Sequence, residues 1–388
     1  MDKNQMFKNK NLISLFFSNF TITLVGLITG LILAKFASLE VRGEIGKILI
    51  WATFGINLIT LGTIEYYFSG GINKKLVINH SIFVSVGIFI ISLLGLLFYN
   101  NGLGGYLYYI LILVPINLYS LYRISELNLC GYLTRLSIVK IIQPVTYLLI
   151  LIFLIIYSEL SVEYILWANL ISNFMLFIFL TFIPKIEIKE INKIKFDKEW
   201  MLVNFSAILS VLISNFDKVY ITYKYSLDEV ALYLVGLTLI GAPMGLIGQT
   251  YAAKFVYGKA KEESYVRTIG VYVGITLSIG MFIYFTAPFF LNILFKDKYN
   301  GILDLILVLI VFGFLTNLRL VVIRILRNLG VNKKILNSEI FIIIGIIIIL
   351  LFSILNIFEN IDLFLSAYSL MFLINILYLL SVFKSVSK

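Results

Sequence analysis

The sequence predicts an all-α membrane protein of about twelve spanning helices, built as two six-helix bundles related by a pseudo-two-fold axis along the membrane normal. Three observations lead there. The 388-residue chain is 60% hydrophobic, has a mean hydropathy of +1.00 and carries only 13% charged residues, which is more apolar surface than a soluble chain of this length can bury. Its apolar runs repeatedly approach the ~20 residues that a helix needs to cross hydrocarbon. The connections between those runs are short, so no stretch folds as a separate soluble domain.

In the first half the predicted spans are 12–34, 46–68, 77–99, 106–128, 138–157 and 162–183. In the second half they are 201–224, 229–252, 268–292, 302–324, 335–357 and 361–383. The first apolar run is long and lacks a small-residue cleavage site, so it reads as a retained helix rather than a signal peptide. The longest connection, Pro184 to Trp200, divides the chain into residues 1–188 and 189–388. An even number of spans leaves both termini on one side of the membrane, and charge says which side. With both termini in the cytoplasm, 22 of the 31 Lys and Arg residues fall in cytoplasmic tails and loops, Arg135 and Lys140 counted among them. The opposite side holds Lys35, Arg42, Lys47, Lys224, Lys296 and Lys298. Basic residues concentrate in cytoplasmic loops, so topology accounts for the net charge of +10 and a nucleic-acid partner is not needed.

The halves echo each other. Ser38-Leu39-Glu40-Val41 follows the first span, and Ser226-Leu227-Asp228-Glu229-Val230 follows the seventh. Asn128-Leu129-Cys130-Gly131 follows the fourth, and Asn328-Leu329-Gly330 follows the tenth. Six-span repeats keep the same orientation, a plan that places a transporter's substrate site between the halves. Pro115, Pro144, Pro243 and Pro288 fall inside spans. Each removes a backbone donor and favours a kink. Pro144 and Pro243 are candidate gating hinges, the latter flanked by small residues in Gly241-Ala242-Pro243-Met244-Gly245. Many of the 24 Tyr residues cluster near span ends, as interfacial aromatic belts do.

Charges within the spans carry the functional signal. Arg123, Lys218 and Arg319 lie inside long apolar stretches, where a cation costs roughly 2.5–3.5 kcal/mol on insertion scales. Three of them suggest an electropositive cavity and an anionic guest. Arg123 and Arg319 stand at similar depth in the fourth and tenth spans, and guanidinium forks suit phosphate because they donate paired hydrogen bonds. Arg324 continues down the tenth span toward the cytoplasmic mouth. Glu126, three residues after Arg123, shares its helix face, so a compensated ion pair is the competing reading of Arg123. Asp217 and Lys218 are adjacent, 100° apart on a helix, and cannot point the same way. Asp217 is a candidate coupling or gating carboxylate and Lys218 a candidate cargo cation. Glu65, near the end of the second span, is a lone carboxylate able to take a proton or sodium ion.

Other chemistries are poorly served. Cys130 is the only cysteine and His80 the only histidine, which excludes an intramolecular disulfide and a zinc-type cluster. No Gly-x-x-x-x-Gly-Lys-Ser/Thr run is present, so ATP does not drive the chain directly. The reading includes no catalytic residue, metal or cofactor beyond a coupling ion, H+ or Na+.

Twelve spans in two halves, near 400 residues, resemble the polysaccharide flippases of the multidrug/oligosaccharidyl-lipid/polysaccharide exporter superfamily. Ala34-Lys35, then Leu39 to Gly46 and Leu61-Gly62, resemble that family's first two helices, with Lys35 where the family usually has Arg. Phe216-Asp217-Lys218 with Asp228-Glu229-Val230 and Tyr233 resemble its seventh and eighth helices. Asn328-Leu329-Gly330 with Lys333-Lys334 resemble the turn after its tenth. The resemblance implies translocation of an undecaprenyl-diphosphate-linked oligosaccharide, an O-antigen or capsule repeat unit, across the cytoplasmic (inner) membrane by alternating access. It also implies membrane lipid and other polysaccharide-assembly proteins as partners. The fourteen-helix peptidoglycan-precursor branch has two helices more than this chain. The alternatives are a multidrug/cation antiporter of the same superfamily, which needs carboxylates in its cavity, and a membrane-embedded polysaccharide polymerase or ligase, which needs a sizeable outward loop.

The topology predicts that both termini and the loop containing Lys193 are cytoplasmic. In a Cys130→Ser background, single cysteines at these places should resist impermeant thiol reagents applied to intact cells. Labelling of position 193 from outside would invert the assignment.

Overall fold

A computed structural model of the chain describes residues 3–60, 106–129, 133–158, 160–183, 198–257 and 264–386. The third predicted span, the end of the second with Glu65, and the 188/189 boundary lie outside those residues. The described chain is helical throughout. In order the helices are α1 (Lys3–Phe36), α2 (Leu39–Thr60), α3 (Leu107–Leu129), α4 (Leu133–Tyr157), α5 (Val162–Phe182), α6 (Lys198–Lys224), α7 (Leu227–Tyr257), α8 (Ser264–Phe295), α9 (Gly301–Asn328), α10 (Asn332–Ile354) and α11 (Ile361–Val386), with a 3₁₀ turn at Lys296–Tyr299. Among the described residues, nine helical stretches are long and apolar enough to cross a membrane. Large apolar side chains such as Phe182, Phe285 and Ile354 stand more than three-quarters exposed, as they do where lipid rather than water is the solvent. The chain is a multi-pass membrane protein.

Two compact units divide the chain: Met1–Thr29 with Glu44–Val211, and Gly30–Gly43 with Leu212–Lys388. In the first, α3, α4 and α5 pack on one another. The Tyr109 hydroxyl on α3 donates to Asn169 Oδ1 on α5 at 2.8 Å, and Ser18 Oγ on α1 donates to the Ser137 carbonyl on α4 at 3.1 Å. In the second, α9 is the central helix, contacting α7, α8, α10 and α11. An aromatic column joins α6 to α11, with the Tyr220 and Phe364 rings stacked at 4.3 Å and the Tyr368 and Phe372 rings edge-on at 4.8 Å.

The repeated Ser-Leu pair is a helix start in both places. Ser38 Oγ accepts from the Val41 N–H at 3.2 Å as α2 begins. Ser226 Oγ accepts from the Glu229 N–H at 3.4 Å while Glu229 Oε2 accepts from the Ser226 N–H at 3.0 Å as α7 begins, a reciprocal capping box. These caps start α2 and α7 earlier than apolar periodicity alone predicts, because periodicity does not register the polar first turn. The helix ends are equally specific. Gly330, at φ 72°, closes α9. There the Val331 N–H reaches the Leu326 carbonyl and the Gly330 N–H reaches that of Arg327, the paired bonds of a Schellman end.

Two of the six basic residues expected on the outer side also have helix-end roles. Lys298 Nζ donates to the Ala34 carbonyl at 2.7 Å and to that of Ala37. Lys224 Nζ lies 3.3 Å from the Ser353 carbonyl at the end of α10. Each supplies a cation where unsatisfied carbonyls and the helix dipole favour one. Arg135 and Lys140, counted above with the cytoplasmic loops although Lys140 falls inside the predicted span 138–157, are both helical: α4 starts at Leu133 and its apolar stretch runs Arg135–Tyr157.

The backbones of α2 and α7 meet at Gly43, where an added Cβ would lie 2.0 Å from the Leu227 carbonyl oxygen. Backbone cannot rotate away as a side chain can. Gly43→Ala should therefore destabilise the protein by about 1–3 kcal/mol, read as a lower unfolding temperature in detergent. Gly55→Ala, also in α2 but with nothing within 4 Å of the new methyl, should leave that temperature unchanged or slightly raised. Equal behaviour of the two variants would contradict the close approach.

Candidate functional site

The charged residues singled out by the sequence fall into two groups. In the second unit, Asp217 on α6 is 2% exposed. Its Oδ2 accepts a hydrogen bond from the Tyr233 hydroxyl on α7. Its Oδ1 lies 3.9 Å from Lys218 Nζ. Lys218 donates to the Ser214 carbonyl one turn back at 2.8 Å, and its side chain is 34% exposed. The two neighbours thus have different surroundings, as their rotation about the helix requires. A carboxyl group that has a phenol donor and a nearby ammonium is buried in an apolar unit at much lower cost than an unpartnered one.

Arg319 on α9 is buried, 7% exposed. Its Nε donates to Asn375 Oδ1 on α11 at 3.3 Å, its Nη2 stands 3.8 Å from Glu339 Oε1 on α10, and its guanidinium lies 5.8 Å over the Phe372 ring. Asn375 in turn donates to the Ser338 carbonyl at 2.8 Å. Tyr368 is fully buried, and its hydroxyl donates to the Ile213 carbonyl at 2.6 Å.

Arg123 belongs to the first unit. It is 4% exposed, ion-paired with Glu126 on the same helix, and its Nη2 donates to the Ile183 carbonyl at 2.7 Å. Ile183 is the residue that ends α5, so Arg123 clamps α3 to the end of α5 rather than reaching outward. Arg324 is half-buried on α9; Pro144 and Pro243 sit within α4 and α7, which continue through them.

Sequence reasoning missed Glu339, Asn375 and Tyr368. Glu339 was visible by the criterion applied to Glu65, a single carboxylate in an apolar run. Asn375 and Tyr368 gave no local signal, because a neutral side chain in a span becomes informative only when its partner on another helix is known.

No family model matches the chain, and no curated protein matches it. Solved structures do. The Lipid II flippase MurJ in an inward closed conformation aligns with 97% of this chain and 90% of its own, with a TM-score of 0.69 and 14% identity. The MATE multidrug transporter DinF-BH aligns with 98% and 95%, at 0.63 and 14%. A MOP superfamily transporter from Pyrococcus furiosus, whose reversed pocket polarity suggests a different function, aligns with 98% and 97%, at 0.57 and 15%. The fold is that of the MOP superfamily transporters.

The Arg319–Glu339 pair predicts non-additive mutations. Removing one member of a buried ion pair leaves an uncompensated charge, at about 3–5 kcal/mol, whereas replacing both is far milder. Arg319→Met and Glu339→Gln should each lower the unfolding temperature in detergent more than the double variant does. Additive losses would show that the two charges do not compensate each other.

Proposed function

We propose that this chain is a flippase for a polyprenyl-diphosphate-linked oligosaccharide, moving it across the cytoplasmic membrane by alternating access. The observation that carries this reading is the difference in exposure within the three carboxylate–cation pairs described above; the exposed carboxylates of these stretches, Glu163, Asp228, Asp304 and Asp362 among them, lie in the first turns of their helices. Glu126, Asp217 and Glu339 are all 2% exposed or less. Of the three paired cations, Lys218 is the one within reach, with about a third of its side chain exposed. A cationic drug needs accessible carboxylates; an anionic head group needs an accessible cation. This favours the flippase over the cation antiporter, and the fold shared with a lipid II flippase supports a lipid-linked cargo.

In this reading the diphosphate first meets Lys218, while the polyprenyl tail stays in lipid. Asp217 holds Lys218 in place when cargo is absent. A charge pair 4 Å apart gains about 4 kcal/mol at an effective dielectric near 20, so a phosphate of higher charge can draw the ammonium from its carboxylate, yet release it later. Arg123 and Arg319 are engaged by Glu126 and Glu339, and would contribute to cargo binding only by exchanging carboxylate for phosphate. Protonation of a carboxylate would favour that exchange, which makes Asp217, Glu126 and Glu339 the candidate coupling groups for H+; Na+ at the same oxygens is the other option.

The test is glycan export in cells, normalised to protein in the membrane. Lys218→Met should reduce export by about tenfold or more, and Lys218→Arg should keep a substantial part. The Asp217→Lys, Lys218→Asp swap should fail, because each charge would then sit in the other's surroundings. Wild-type export by the swap would mean that net charge alone matters there.

A further inference from the structure

We infer that Lys140 on α4, with Gln143 beside it, is a second binding position for a phosphate head group, distinct from the Asp217–Lys218 and arginine groups. This rests on the proposed function for the identity of its ligand. Lys140 lies five residues into the apolar stretch Arg135–Tyr157 and is half-buried. The three span cations that first suggested a cavity are each held by a carboxylate: Arg123 by Glu126, Lys218 by Asp217, Arg319 by Glu339. Lys140 has neither a hydrogen-bond nor an ion-pair partner among the described residues, and Gln143 has none either. Helical rotation places Gln143, Pro144 and Tyr147 within about 60° of Lys140 around α4. Ser137, one turn before Lys140, marks where α1 packs against this helix through Ser18.

An ammonium in an apolar stretch with no partner among the described residues is costly for the resting protein. A mobile anion supplies what the described helices do not. The amine gives charge and the Gln143 amide gives donors to phosphate oxygens or sugar hydroxyls. Pro144 supports the same assignment, since it leaves the Lys140 carbonyl without its usual donor from the residue four positions on, so one more polar group on this turn lacks the bond that a regular helix would give it. A bound phosphate can come from the lipid-linked cargo or from ordinary anionic lipid, and binding measurements separate the two.

The purified full chain in nanodiscs would be titrated with undecaprenyl diphosphate and, separately, with phosphatidylglycerol. Wild type should bind undecaprenyl diphosphate more tightly, Lys140→Met should weaken that binding by about tenfold, and Lys140→Arg should restore most of it. An unfolding temperature of the ligand-free variants no lower than that of wild type would exclude misfolding; if Lys140→Met proves unstable, Gln143→Leu, expected to weaken the same binding several-fold, carries the test. Unchanged binding in Lys140→Met alongside loss in Lys218→Met would overturn the Lys140 site and leave the proposed function intact. Equal loss of both lipids in Lys140→Met would assign the residue to ordinary lipid and overturn its cargo role. Failure of wild type to prefer undecaprenyl diphosphate would overturn both readings.

Discussion

A charge in hydrocarbon has to be answered by another group, and the described structure is organised around those answers. Arg123 is met by Glu126 and the end of α5, Arg319 by Glu339 and Asn375, and Asp217 by Tyr233 and Lys218. Each answer comes from a particular helix at a particular depth, so the charges fix which helices pack together and in what register. The same rule acts at helix ends, where Lys298 and Lys224 take up carbonyls left without a helical partner. A soluble protein would satisfy most of these groups with solvent. Here each unmet group is costly enough to select the fold.

The pairing also sets what can move. A cation whose ion pair is loose, such as Lys218 at 3.9 Å from its carboxylate, can exchange that carboxylate for an incoming phosphate. A cation held from two directions, such as Arg123, resists exchange and serves as a clamp. The chain thus grades its cations from structural to available. Arg123 is the most enclosed, Arg319 is buried but separated by 3.8 Å from Glu339, and Lys218 is open on one side. A transporter needs this gradation, because a site that binds cargo too firmly cannot release it.

Much of this was legible in the sequence. Hydropathy alone located the described helices, because a spanning helix is apolar on most of its faces. The Ser38 and Ser226 repeat marked two equivalent helix starts, because capping chemistry is local. Arg123, Asp217, Lys218 and Arg319 stood out because charge is rare in an apolar run. What the sequence did not reveal is pairing across helices. Glu339, Asn375 and Tyr368 acquire meaning only when α9, α10 and α11 are brought together, and no spacing rule connects residue 319 to residues 339 and 375. Reading Lys140 as a loop residue fails for a related reason: positive charge near a span end marks a cytoplasmic loop on average, and the helix start at Leu133 overrides that average.

The central claim is that accessible cations between apolar helices carry an anionic, lipid-linked cargo. Purified protein in liposomes, loaded with a fluorescent polyprenyl-diphosphate oligosaccharide in one leaflet, tests it most directly, with an impermeant quencher reporting transfer to the other. Transfer well above that of protein-free liposomes, abolished when a neutral polyprenyl-linked sugar replaces the diphosphate, is the result this account predicts. Equal transfer of the neutral lipid, or movement of cationic dyes in preference to either, would contradict it.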